Sequence, residues 1–361
     1  GDKLRPMDAF KDSAPAELVD CEGHDDLIVL MFTSGTTGRS KAVMLSERNF
    51  FTTVECQVKF GDAMLDYKHE HMPEDKNDVL SNFAILPLFH LGTFICLFVW
   101  ACKGWALNLS ADIRDFYRDL GLMHSDAIAV APMLMEAIYK DVKRGRRARL
   151  NGIWNPCGSS AMFDGAMLAE LAQQGMMITQ VYGMTETCGD GIINYEQDEK
   201  HIRAVGKPDD HAEYKLDETG EICIRGGCVM LGYYKDPEAT AEVLDADGWF
   251  HTGDLARVDE DGFYYITGRK KNIIILDNGE NVSPEELENL LSKCEAVKEC
   301  IVREKGKKIC AVIYCGEADQ QTVRDFITET NRTLPLYKRM SAVEFSTEPL
   351  PRTGTGKLLR K

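Results

Sequence analysis

The sequence predicts a large α/β domain over residues 1–269 followed by a small α+β domain over residues 270–361, and three observations carry that prediction. Short apolar runs alternate with helical segments through the first part of the chain, the pattern of strands joined by crossover helices into a mostly parallel sheet. Near residue 270 the character changes to two helix signals and a pair of apolar runs around a Lys-Gly turn. The composition, 44% apolar and 28% charged over 361 residues, is that of a globular chain long enough for two domains.

Leu27–Phe32 is an apolar run that stops at a Ser/Thr/Gly cluster, which reads as a buried strand feeding a loop. Ala42–Leu45 reads as a second strand, and Ser46 is placed to cap the helix after it. Leu91–Cys102 spans 12 residues before Lys103, too short to cross a bilayer, and reads as a buried core segment. Ala127–Val130 and Met177–Val181 read as further buried strands, and between them Phe163–Gln174 is helical and closed by Gly175. Asp236-Pro237-Glu238 starts a helix with Pro at its first position. In the smaller domain Ser283 can cap the amide three residues on, while Glu286 can reach back to the cap. Val297–Val302 and Ile309–Tyr314 pair around Lys305-Gly306, and a second helix covers Gln321–Asn331. Gly268–Asn272 is the expected hinge region.

Forty-two basic residues stand against 58 acidic ones, a formal charge of −16. Such a surface repels phosphate backbones and argues against a nucleic-acid partner. Lys143-Arg144, Arg146-Arg147 and Arg149 are the local exception. They could attract ligand phosphates or an anionic membrane surface, although a solvated face is the simpler reading. The 12 cysteines include no C-x-x-C pair, so they read as buried, reduced thiols in a reducing cytosol rather than as a zinc or redox motif. No signal-peptide pattern is visible, and Gly1 reads as a processing boundary, so a cytoplasmic location is expected.

Chemistry concentrates first in Thr33-Ser34-Gly35-Thr36-Thr37-Gly38-Arg39-Ser40-Lys41, directly after an expected strand. Glycines let the backbone fold around an anion, hydroxyls and amides donate to phosphate oxygens, and Arg39 and Lys41 add charge. It is not a Walker A loop, whose glycine spacing and Lys-Ser/Thr ending it lacks. Taken alone it could equally be a surface connection.

This stretch resembles the phosphate loop of the adenylate-forming superfamily, which includes acyl-CoA synthetases, luciferases and adenylation domains. Tyr182-Gly183-Met184-Thr185-Glu186-Thr187, Gly248–Asp254, Gly268-Arg269-Lys270-Lys271 and Pro351–Lys357 resemble further family motifs in the same order. The resemblance implies the adenylate-forming fold, the substrates ATP and coenzyme A, and Mg²⁺. Glu186 would be a hard oxygen ligand for the metal beside the triphosphate. Thr185 would hydrogen-bond the α-phosphate, Tyr182 would offer a flat face to adenine, and Gly183 lies in the same turn. Gly158, Ser159 and Ser160 resemble the adenine-binding segment. Asp254 would accept both ribose hydroxyls, with Arg269 near the ribose and phosphate. Lys357 would be the mobile catalytic lysine between the attacking carboxylate and the α-phosphate, where one well-placed cation counts for much. Lys271 and Asn272 would form the hinge, and Gly279, Glu280 and Asn281 would line a path for the CoA arm.

The departures from the pattern are informative. Asn272 replaces the usual hinge acid, and the expectation is that its tolerance of unusual backbone angles preserves the hinge. Ile273–Val282 and Pro132–Tyr139 resemble the long-chain fatty-acyl branch. His90, in Pro87-Leu88-Phe89-His90-Leu91-Gly92, stands where amino-acid-activating relatives place an Asp. This favours an acyl-pocket role for His90 and argues against an amino-acid substrate, while a hydrogen-bonded core histidine is the plainer alternative. Only 32 residues precede Thr33, so the sizeable front subdomain of the family, with the outer wall of an acyl pocket, is expected to be missing from this sequence. The resulting expectation is an AMP-forming acyl-CoA ligase acting on a fatty acid, with aryl acids next. A carrier-loading adenylating enzyme and a non-catalytic nucleotide-binding remnant stay open, and oligomeric state is not legible.

Overall fold

The computed structural model describes residues 25–33, 40–110, 112–159, 163–189, 191–276, 280–306, 308–352 and 358–359. Strands β1 (Leu27–Thr33) and β2 (Lys41–Ser46) form an antiparallel hairpin in which Thr33 faces Lys41. Helix α1 (Glu47–His71) starts at Ser46. The Asn49 amide donates to the Ser46 hydroxyl, and the Ser46 amide donates to Asn49 Oδ1 at 2.8 Å, a reciprocal cap that satisfies two otherwise orphaned donors.

The expectation for β1 needs correction. The strand exists, but Ile28, Leu30 and Phe32 face outward, with Phe32 69% exposed. Only Val29 and Met31 pack against the core, because β1 is an edge strand carried by β2 rather than the interior of a parallel sheet. A continuous apolar run cannot distinguish these two placements.

The main sheet follows. Strand β3 (Ser81–Ala84), helix α2 (Leu91–Lys103), strand β4 (Ala106–Leu109), helix α3 (Phe116–Leu120), strand β5 (Ala127–Val130), helix α4 (Pro132–Lys143), strand β6 (Asn155–Ser159), helix α5 (Gly165–Gln173), strand β7 (Thr179–Gly183) and strand β8 (Gly191–Asn194) alternate as expected. The sheet order is β4-β3-β5-β6-β7-β8, parallel except for β8. Helices cover both faces, and neighbouring residues show it. Ala127 packs with Phe50, Ile95 and Trp100 of α1 and α2, whereas Ile128 packs with Leu120, Met135 and Leu168 of α3, α4 and α5. Buried Asp126 ties three segments together: it accepts from the Ser81 amide and hydroxyl, each at 2.8 Å, and from Trp154 Nε1 at 3.0 Å.

The basic run after α4 is a brace more than a free face. Arg149 and Arg146 converge on buried Asp141 at 3.0 and 3.4 Å, and Arg149 also covers the Tyr117 ring. Arg147 donates to the carbonyls of Gln174 and Gly175, and Lys143 donates to the Tyr139 hydroxyl.

Strands β9 (Ala212–Leu216), β10 (Glu221–Gly226) and β11 (Gly232–Tyr233), helix α6 (Pro237–Ala241), and strands β12 (Phe250–Val258) and β13 (Tyr264–Arg269) come next. Four of these strands make an antiparallel sheet in the order β13-β12-β10-β9, while β11 joins β2. The last part holds β14 (Ile274–Ile275), β15 (Asn281–Val282), α7 (Pro284–Leu291), β16 (Glu299–Lys305), β17 (Lys308–Tyr314), α8 (Gln320–Thr333) and β18 (Ala342–Ser346) around its own apolar cluster. Ser283 caps α7 as expected, but Glu286 does not complete a capping box. Its carboxylate is instead held by Lys338 at 2.7 Å. Among the described residues no helix is long and apolar enough to cross a membrane, and all eleven described cysteines are free thiols.

Candidate active site

The phosphate-loop residues Ser34, Gly35, Thr36, Thr37 and Gly38 lie outside the described residues, but both anchors are in place. Thr33 ends β1, Lys41 begins β2, and the Ser40 hydroxyl donates to the Thr33 carbonyl at 2.6 Å. Lys41 Nζ sits 4.4 Å from the centre of the Tyr233 ring, a cation–π placement.

Strand β7 delivers the next group. Tyr182 and Gly183 end the strand, and Thr185–Thr187 form one tight helical turn closed by Cys188 in the left-handed region, φ 55°. Thr185 and Glu186 are half-buried in this turn. Met230 donates its amide to the Glu186 carbonyl at 2.9 Å, and the Tyr233 hydroxyl donates to Glu186 Oε1 at 2.9 Å. Burial pushes the Tyr233 phenol far up, with the Glu186 charge adding to it, so Tyr233 stays a donor. Tyr233 was not legible as a site residue. It arrives because β11 pairs with β2, with Tyr233 opposite Val43.

Four residues before Glu186, Tyr182 reaches toward β12. Its hydroxyl donates to Asp254 Oδ2 at 3.2 Å, and Arg269 Nε lies 2.7 Å from Asp254 Oδ1. Arg269 is there because it faces Asp254 across the β12–β13 pair. Asp254 is 5% exposed, and burial, then the Asp254 charge, pushes the Tyr182 phenol well up. Gly253 before it has φ 73°, a left-handed angle that glycine adopts without strain. The Gly253 amide donates to Glu221 Oε1 at 2.7 Å, and Lys270 Nζ donates to Glu221 Oε2 at 2.7 Å. A cavity of about 290 Å³ is lined here by Thr252, Gly253, Arg269, Lys270 and Lys271. Glu221 was also missed. Its one sequence signal is a charge at the head of the apolar run Ile222-Cys223-Ile224.

The other expected residues fall as follows. Gly158 and Ser159 end β6, and the space beside Gly158 is filled by the Phe163 ring, where a Cβ would meet Phe163 Cε2 at 2.4 Å. Ser160, Gly279 and Lys357 lie outside the described residues. Arg352 and Leu358, on either side of the last of these, form an antiparallel bridge. His90 is exposed at the start of α2, which does not fit the core-histidine alternative. The next residue, Leu91, packs against Gly189 just after the Glu186 turn. Lys271 and Asn272 occupy a single helical turn after β13. Asn272 has no positive φ, and its side-chain amide donates to Glu285 of α7 at 2.6 Å. Glu280 and Asn281 sit exposed at the β14–β15 turn.

Residues 2–234 match the AMP-binding enzyme family, and residues 286–357 match the AMP-binding enzyme C-terminal domain. The chain is 30% identical to a long-chain-fatty-acid–CoA ligase of Salmonella typhimurium, over 93% of its own length and 61% of the ligase's. It is 31% identical to a feruloyl-CoA synthase of Amycolatopsis sp., covering 98% of this chain and 72% of that protein. An O-succinylbenzoate coenzyme A synthetase from Bacillus subtilis, solved in complex with ATP and magnesium ion, superposes with a TM-score of 0.75 at 26% identity, over 96% of this chain and 72% of that one. The chain spans 61–66% of the length of the first curated relatives it matches. The turn after β7 carries Glu186 and β12 carries Asp254, tied to β7 through Tyr182, and with a family match over residues 2–234 this leads to one conclusion: the chain belongs to the AMP-binding enzymes.

Proposed function

We propose that the protein is an ATP-dependent acyl-CoA ligase that activates a carboxylic acid as acyl-AMP and transfers the acyl group to coenzyme A. One observation carries the reading. The segment Tyr182–Glu186 touches Asp254 at one end and Tyr233 at the other, so one short piece of backbone sets the spacing between a ribose site and a phosphate site.

In this reading Asp254 accepts the ribose hydroxyls, with Tyr182 and Arg269 holding its carboxylate in place. Lys41, Thr185 and the 33–41 loop receive the triphosphate. Glu186 fits Mg²⁺: Oε1 is taken by Tyr233, which leaves Oε2 among the described residues as a hard oxygen donor. When bound, the metal would supply charge neutralisation on the phosphates. The substrate carboxylate attacks the α-phosphorus, pyrophosphate leaves, and Lys357 stabilises the charge that develops. The unit from residue 270 onward then turns about Lys271 and Asn272, withdrawing Lys357 and bringing Gly279, Glu280 and Asn281 to the CoA path. The CoA thiolate attacks the acyl carbonyl and AMP leaves.

A fatty acid is the preferred substrate, supported by Pro132–Tyr139, by Ile273–Val282 and by the Salmonella relative; the feruloyl-CoA synthase keeps aryl acids next. His90 lines the acyl side in this reading, and the reduced thiols suit a cytoplasmic setting. The test is carboxylate-dependent ATP–pyrophosphate exchange across fatty and aryl acids, followed by acyl transfer to free CoA or to a phosphopantetheinylated carrier protein. Exchange with no acid in the panel overturns the proposal, and transfer to the carrier alone overturns the CoA assignment.

A further inference from the structure

The buried carboxylate of Glu221 performs a task that the reaction scheme does not use. It opens β10, is 3% exposed, and lies beside the stretch of β12 that carries Asp254. Oε1 accepts the Gly253 amide at 2.7 Å, and Oε2 accepts Lys270 Nζ at 2.7 Å. Gly253 immediately precedes Asp254, and Lys270 immediately follows Arg269, the residue paired with Asp254. A single buried side chain therefore holds the residue before one member of the Asp254–Arg269 pair and the residue after the other.

The surroundings support a dedicated role. Lys270 also faces Asp217 at 3.6 Å, and His251 Nδ1 lies 3.6 Å from Glu221 Oε2. A carboxylate out of water is stable only with such partners, and removing one leaves the other's charge or donor unsatisfied. A buried acid on a strand of otherwise apolar inward residues, Ile222, Cys223 and Ile224, contributes nothing that an apolar residue would not contribute better to packing. What it supplies is a geometric link between the stretch of β12 that carries Asp254 and the first turn of the linker, Lys270–Asn272.

We propose that Glu221 is the positioning residue of the ribose site. It fixes the Thr252–Gly253–Asp254 stretch of β12 through Gly253 and latches that stretch to the linker through Lys270, so that ribose binding and the set of the linker are coupled. The inference rests on the nucleotide-binding reading above. Glu221 touches no substrate atom; it acts through Asp254 and Arg269.

The test measures ribose discrimination, which loss of general stability does not alter. Full-chain protein is titrated by calorimetry with AMP and with 2′,3′-dideoxy-AMP, and the ratio of the two affinities is compared among the parent, Glu221→Gln and Lys270→Met. Glu221→Gln keeps the side-chain shape but turns an amide toward Lys270. In the parent the ratio should be about tenfold or more, as expected for hydroxyls bonded to a charged acceptor. Glu221→Gln should bring it to within about twofold of unity, and Lys270→Met should reduce it severalfold. A ratio equal to the parent's in both variants overturns the latch while leaving the nucleotide site intact. If Glu221→Gln does not fold, Lys270→Met decides alone, and a parental ratio there overturns the proposal. A parent that binds no AMP overturns the nucleotide-binding reading itself, a result distinct from the first.

Discussion

The Tyr233 hydroxyl donates to Glu186 Oε1 at 2.9 Å across 47 residues of sequence, and Lys41 lies over the same ring. The tyrosine thus orients one carboxylate oxygen and seats a cation with one side chain. Tyr233→Phe keeps the ring and removes only the donor. A hydrogen bond to a charged group is worth about 1.5–3 kcal/mol, so the Mg²⁺ concentration needed for half-maximal exchange should rise roughly tenfold. Glu186→Gln should reduce Mg·ATP use further with little change in melting temperature. A Mg²⁺ titration of pyrophosphate exchange checks both; unchanged curves remove Glu186 from the metal site.

Asp254→Ala leaves the Arg269 guanidinium and the buried Tyr182 hydroxyl without their carboxylate. AMP affinity should fall about tenfold to a hundredfold, the equivalent of roughly 1.5–3 kcal/mol. Calorimetric titration reads this directly, and equal affinities in variant and parent contradict the ribose role.

Lys357→Ala separates the two half-reactions. Loss of a preorganised donor to the developing charge should slow adenylation by about 10²–10³. Thioester formation from supplied acyl-AMP should stay within roughly tenfold of the parent, a difference under about 1.4 kcal/mol. If both steps fall together at an unchanged melting temperature, the domain-rotation scheme is wrong for this protein.

Asp126→Ala addresses stability. It strands the Ser81 amide, the Ser81 hydroxyl and Trp154 Nε1, all within 3.0 Å of the carboxylate. Disrupting such a buried network costs about 3–5 kcal/mol. Urea unfolding should show a clearly lower midpoint, whereas a shift within error would mean water replaces the carboxylate.

Asp217 supplies a pH dependence. Burial alone would raise its carboxyl, but the Thr219 hydroxyl, the amides of Glu221 and Thr219, and Lys270 outweigh it and bring it down to about 2 from 3.8. Because the folded value lies below the unfolded one, the stabilisation is present above pH 4 and is lost as pH falls through 4 toward 2. Asp217→Asn should therefore flatten the fall in urea midpoint between pH 5 and pH 2.5; an unchanged slope rejects the assignment.

Much of the local fold is legible in the sequence. Local rules placed Ser46 as a cap, Asp236-Pro237 as a helix start, and Lys305-Gly306 between paired strands, because each depends on the residue and its immediate neighbours. The family motifs named Glu186, Asp254 and Arg269. The failures were also systematic. Leu27–Phe32 read as buried because an apolar run reports hydrophobicity without saying how many faces of the strand are covered. The Glu286 box failed because Lys338, distant in sequence, competes for the carboxylate.

The sequence by itself determined the alternation of strands and helices and the caps and turns. Those properties follow from spacing and side-chain chemistry within a few residues of chain. Only the tertiary structure decided that Tyr233 meets Glu186, that Glu221 joins Gly253 to Lys270, and that β1 lies at an edge. Each of these depends on which strands pair, β11 with β2 and β10 with β12, and pairing over such separations is set by the packing of the whole core rather than by local sequence.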